Sequence, residues 1–181
     1  MAAATHTYFR AEKREGVVFM GAGMLALTTA ASLALSGKPF GLGMSIPLGA
    51  VGLIELAAGL VVFTRTDAQT ARLDAQRAAS PAAFRDAELP RMRRVNTEFA
   101  ALAVTELVFI LAGGALAGYG FVEHREVFQG VGLGLGIQGA VMLTLDMVAA
   151  DRARTYTHAL ASFVPTPVGT ELRWTVLGGT F

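Results

Sequence analysis

Apolar residues run in four long blocks, 17–36, 42–64, 99–122 and 127–145, and the only formally charged side chains inside them are Glu55 and Glu106. Each block approaches or exceeds the about 20 residues that cross about 30 Å of hydrocarbon at a helical rise of about 1.5 Å per residue. Backbone groups in lipid must be satisfied within their own segment, so each block is expected to be an α-helix. A cleavable signal sequence is the competing reading of the first block, but 17–36 is longer than a usual apolar signal region and similar blocks follow it. The pattern predicts an all-α polytopic membrane protein. Its four transmembrane helices would form two tandem hairpins with helical cytoplasmic extensions.

The polar stretches divide the chain into an N-terminal segment 1–15, a first hairpin 16–64, a connector 65–96, a second hairpin 97–150, and an extension and tail 151–181. Residues 67–79 are rich in alanine with Arg72, Asp74 and Arg77, which predicts that the second helix continues several turns into water. Ser80-Pro81 reads as an N-cap followed by a first-turn proline, opening a short helix through Glu88. Leu89-Pro90 is expected to restart the chain in a further helix that runs into the third span. Residues 151–162 resemble the extension after the second span. In the tail, 172–177 reads as a strand too short to form a sheet alone, which would be disordered, pack on the charged cytoplasmic extensions or pair with a neighbouring subunit, and Trp174 alternatively as an interfacial anchor.

Charge sets the orientation. Of the 15 Lys and Arg residues, Lys38 and Arg125 alone fall in the connections between spans one and two and between spans three and four. The others precede the first span, lie between the second and third, or follow the fourth. Short loops rich in cations stay on the cytoplasmic side, so both termini are expected inside, in a bacterial inner (plasma) membrane. The net charge of +1, with cations interleaved with Asp and Glu, argues against nucleic acid as a partner. There is no Cys, which excludes disulfides, thiolate metal sites and thiol redox chemistry.

A shift of 83 residues lays the first span on the third and the second on the fourth, without gaps. Glu15 then meets Glu98, Gly49 meets Gly132, Ile54 meets Ile137 and Glu55 meets Gln138. Two hairpins crossing in the same sense would form a parallel repeat about an axis along the membrane normal. Glu106 breaks the match, aligning with Gly23. Gly49, Gly52 and Gly59 bracket Glu55, while Gly132, Gly136, Gly139 and Ala140 bracket Gln138. Small residues let helices approach closely in lipid, so both polar side chains are expected to face protein, within one bundle or between subunits of a homo-oligomer or larger assembly.

Candidate chemistry lies at mid-span, where Thr28, Thr29, Glu55, Glu106 and Gln138 sit at similar depth. An intramembrane acid costs at least about 2.5–3.5 kcal/mol on insertion scales and marks a functional position by default. Two acids sharing a proton would titrate as a pair. Such a site relays protons or, ionised with neutral oxygen ligands beside it, holds a hard cation. The alternative is interhelical hydrogen bonding alone, worth about 0.6–2 kcal/mol per contact. Nearer the cytoplasmic face, Glu15, Glu98, Asp146 and Asp151 lie near Arg14, Arg93, Arg94 and Arg152, where ion pairs tying helix ends together are expected. Gln138, Met142 and Asp146 follow one helical line, so Asp146 and Glu98 are candidates for a polar track toward the cytoplasm.

His6, His124 and His158 all fall outside the spans, so haem and di-iron bundle sites are unsupported. The run 130–134 is Gly-rich but lies within a span, with no preceding strand to make a nucleotide loop. No nucleophile set emerges. No enzyme activity, metal or cofactor is therefore expected. Two Gly-rich hairpins with Glu55 midway along the second helix resemble the duplicated proteolipid rotor subunits of V-type ATPases, which implies an ion-carrying role for that acid. The chain departs from that pattern in its Arg-rich connector, in Glu106 and in its tail. The expected function is movement of protons or cations through the mid-membrane acids. The alternative is a non-catalytic subunit of a membrane complex, and a membrane enzyme or a binder of hydrophobic ligands is a third reading.

Overall fold

A computed structural model describes residues 1–165; the expected tail strand and the proposed anchor Trp174 lie outside the described residues. Four helices account for almost all of it: α1 (Ala2–Leu35), α2 (Pro39–Ala79), α3 (Pro81–Val122) and α4 (Glu126–Ser162). All four are long and apolar enough to cross a membrane. At 34 to 42 residues they also exceed what a bilayer core requires.

The helix ends follow the local sequence. α1 stops at Ser36 and Gly37, where glycine takes a φ of +66° that other residues adopt only under strain. Pro39 and Pro81 open α2 and α3 from first-turn positions that need no amide hydrogen. The expected cap is present, with Ser80 Oγ accepting from the Ala83 amide at 3.2 Å. α2 continues to Ala79 and α4 to Ser162, as their Ala-rich, charged extensions predicted.

Helix α1 begins at Ala2, so residues 2–15 continue the helix of the first span. One expectation is corrected. Pro90 does not restart the chain; α3 passes through it unbroken. A proline removes one ladder hydrogen bond and crowds the carbonyl four residues earlier. Here Pro90 is exposed, so water can satisfy that carbonyl. Phe84, Glu88 and Met92, one face of the helix on either side of Pro90, are all buried and hold the helix together across it.

α1 packs along α2, α3 along α4, and α2 along α4, whereas α1–α4 and α2–α3 touch only locally, and α1 and α3 meet through side chains alone, as where Arg91 lies over the Phe9 ring. Along the first pair the partners run in opposite senses, Gly16 against Gly59 and Gly23 against Gly52. At the α2–α4 seam the backbones nearly touch: a Cβ on Gly43 would strike the Val127 carbonyl, and one on Gly130 the Phe40 carbonyl. Only glycine permits that approach.

The two ends of the bundle bury different things. Along the apolar blocks, Leu25, Ile46, Val104 and Leu111 are 64–69% exposed, as lipid-facing side chains would be. Beyond them, Phe9, Leu73, Phe84, Met92, Tyr156 and Leu160 from all four helices make a closed core like that of a water-soluble bundle. Tyr8 stacks on Tyr156 there, with ring centroids 4.7 Å apart. This polar end holds most of the arginines.

Candidate functional site

Glu55, Glu106 and Gln138 sit at one level of the bundle. Gln138 Nε2 donates to Glu55 Oε2 at 3.4 Å across the α2–α4 seam. The next residue, Gly139, lies against the Glu106 backbone carbonyl of α3. All three polar side chains are at most 4% exposed. The bracketing glycines serve the outer pairs rather than this seam: Gly52 and Gly59 admit α1, and Gly132 and Gly139 admit α3. They bury Glu55 and Gln138 by drawing a neighbour over each inner helix.

Glu106 has a second neighbour, Asp146 of α4, which is 7% exposed. Helical side chains lean toward their own N-terminus. Glu106 therefore leans toward the polar end and Asp146 away from it, so the two carboxyls converge although their backbones lie at different levels. Neither oxygen of Glu106 receives a hydrogen bond from an N–H or hydroxyl among the described residues, nor does Glu55 Oε1. A hydrogen bond between Glu106 and Asp146 exists only when one of them carries a proton. Buried acceptors left without donors are costly, so this is where protonation changes the local energy most.

Asp146 also forms part of the wall of a cavity of about 340 Å³ that all four helices surround, between the mid-bundle acids and the polar-end core. Phe19, Leu102 and Met142 line its apolar part, and Glu12, Glu15 and Glu98 its charged part. Two ion pairs bridge helices there: Arg152 with Glu15 at 2.5 Å, and Arg65 with Glu12 at 3.4 Å. Arg91 is held by both oxygens of Glu88, at 2.6 and 2.7 Å. Burial pushes the Glu15 carboxyl up to about 7, with Asp146 and Glu12 adding to the rise and Arg152 opposing it. Glu12 is raised for the same first reason, against the pull of Arg65 and Arg91.

Of the residues singled out from sequence, the structure brings Glu55 to Gln138 and sets Glu106 beside Asp146, with Glu98 exposed on the same cavity. Thr28 and Thr29 do not join them. Thr28 is exposed and donates to the Met24 and Leu25 carbonyls of its own helix, each at 3.0 Å, and Thr29 is half-buried. Of the acids and arginines expected to tie helix ends together, Glu15 and Arg152 form an ion pair. Glu12 and Arg65 were not anticipated, although Glu12 lies one turn before Glu15 on the same helix face and Arg65 directly follows the second apolar block. Among the described residues no group of three or more His, Asp or Glu is arranged to hold a metal ion. Compared with known proteins, the chain matches no family model, no curated protein and no solved structure.

Proposed function

We propose that this chain moves protons, or a cation exchanged for them, across a membrane through its mid-bundle acids. One observation carries the reading: Glu106 is buried with both carboxyl oxygens undonated, beside an Asp146 that opens onto a cavity reaching toward the charged end. A proton arriving in the cavity binds Asp146, passes to Glu106 and is released toward the Glu55–Gln138 level. A pair of carboxyls suits a proton better than a bare metal cation, which takes six or more oxygen ligands. The arginine-rich end is cytoplasmic in this reading, with both termini inside. The 83-residue shift reflects two duplicated hairpins, and the contact between Glu55 and Gln138, which are themselves 83 residues apart, supports it. Outward apolar faces of α1 and α3 would bind lipid, further copies or other membrane subunits.

A second reading is favoured by that same contact. Gln138 and Glu55 are hydrogen-bonded across helices, and a bond of this kind is what a non-catalytic membrane subunit would need from them. Proton flux into proteoliposomes separates the two readings, comparing the wild type with the Glu55→Gln/Glu106→Gln double variant at equal density of folded protein. Flux lost in the variant supports conduction by the acids. Absence of flux in the wild type under an imposed gradient rejects it.

A further inference from the structure

The cavity beneath Asp146 is unbalanced in charge and in hydrogen bonding. Every arginine on its wall is engaged by a carboxylate: Arg65 by Glu12, Arg152 by Glu15 and Arg91 by Glu88. Among the described residues no arginine pairs with Glu98 or Asp146, and Glu106 stands directly behind Asp146. The atoms on and immediately behind this wall that are buried without a partner are all acceptors, Glu12 Oε2 and both carboxyl oxygens of Glu106. An anionic headgroup would find its cations occupied and these acids repelling it. A positively charged hydrogen-bond donor would find acceptors waiting.

Its apolar part points to the rest of the ligand. Ile54 and Leu102 line the cavity yet are 60% and 42% exposed, so the space opens sideways where α2 and α3 barely touch, within the apolar blocks. A volume of about 340 Å³ accommodates a small ligand body. We infer that the cavity binds a protonated aliphatic amine with a compact apolar body, its ammonium against Asp146 and Glu12 and its body against Phe19, Leu102 and Met142. This rests on the proposed transport reading only for its membrane setting; it names the cation that would exchange with protons.

The test is calorimetric titration of the full-length protein in maltoside detergent with three probes of one shape: 1-adamantylamine, its trimethylammonium analogue and 1-adamantanecarboxylate. Saturable binding is expected for the amine, weaker binding for the analogue that lacks N–H donors, and none for the carboxylate. Asp146→Asn is expected to weaken amine binding about tenfold or more, a loss of about 1.4 kcal/mol. Met142→Trp, which fills the apolar part without touching charge, is expected to weaken it similarly, so the inference does not hang on one variant's folding. Equal binding of amine and carboxylate, amine binding unaffected by both variants, or a cavity found filled by copurified lipid would overturn it. Proton flux without amine binding would remove this inference alone, and amine binding without flux would remove the transport reading alone.

Discussion

The Gln138 amide reaches the Glu55 carboxyl at 3.4 Å from the facing inner helix, one turn or more beyond the stretch where glycines bring α2 and α4 to backbone contact. The bond is long for an N–H···O contact. Its strength therefore depends on how closely the seam is held. We expect a double-mutant cycle over Glu55→Leu, Gln138→Leu and the pair to give a coupling energy of about 0.6–2 kcal/mol, the range for hydrogen bonds between membrane helices. Reversible unfolding in mixed micelles measures it. A coupling indistinguishable from zero would mean that the two side chains sit side by side without bonding.

That contact also shows how much was legible in the residues. Apolar blocks about as long as a bilayer core is thick, two of them with an acid at mid-span, identify the four helices and the level of Glu55, Glu106 and Gln138, because insertion costs leave few alternatives. The partnering of Glu106 with Asp146 was not legible. It depends on two side chains leaning in opposite directions from antiparallel helices, which sequence spacing along one helix cannot reveal. Pro90 misled for a related reason. A proline ends a helix when its freed carbonyl is buried, and whether Asp86 faces water is decided by the packing of Phe84, Glu88 and Met92 on the other side. Thr28 shows the reverse error: matching depth placed it with the acids, but it lies on an outward face.

The polar-end core should carry much of the stability, since lipid gives the apolar blocks little hydrophobic drive to associate. Phe84 is fully buried within that core among Phe9, Leu73 and Tyr156. Phe84→Ala is expected to cost about 3–5 kcal/mol, whereas Leu111→Ala, on an exposed face of α3, should cost under about 1 kcal/mol in detergent. Thermal unfolding followed by circular dichroism separates them. Similar losses for both would show that the spans, not the extension, hold the bundle together.

Glu15 makes stability depend on pH in a defined direction. Its carboxyl is raised in the folded protein from an ordinary 4.5 to about 7, so between those values the native state holds a proton that the unfolded chain has released. Stability contributed by Glu15 is therefore full below about pH 4.5 and falls as pH rises to about 7, levelling beyond. Glu12 acts in the same direction. Glu15→Gln keeps a hydrogen-bonding partner for Arg152 and should flatten this part of the profile. The check is melting temperature from pH 4 to 8 for the wild type and the variant; parallel slopes would assign the dependence to other groups.

Glu106 sets stability against function most directly. Its two undonated oxygens are buried at 1% exposure, and a polar group left unsatisfied in this way costs about 1–3 kcal/mol. A side chain kept only to join helices would be expected to find donors, and Glu106 finds only another acid. Glu106→Leu should therefore raise the unfolding free energy by about 1–3 kcal/mol while abolishing proton flux. Glu106→Gln should lose flux as well, and should gain less stability than leucine because its amide can donate to Asp146 but still buries polar atoms. Unfolding and flux measured on the same preparations decide the matter. If leucine destabilises the bundle by more than about 1 kcal/mol, Glu106 is a structural hydrogen-bonding residue after all, and the subunit reading becomes the better account of the mid-bundle acids.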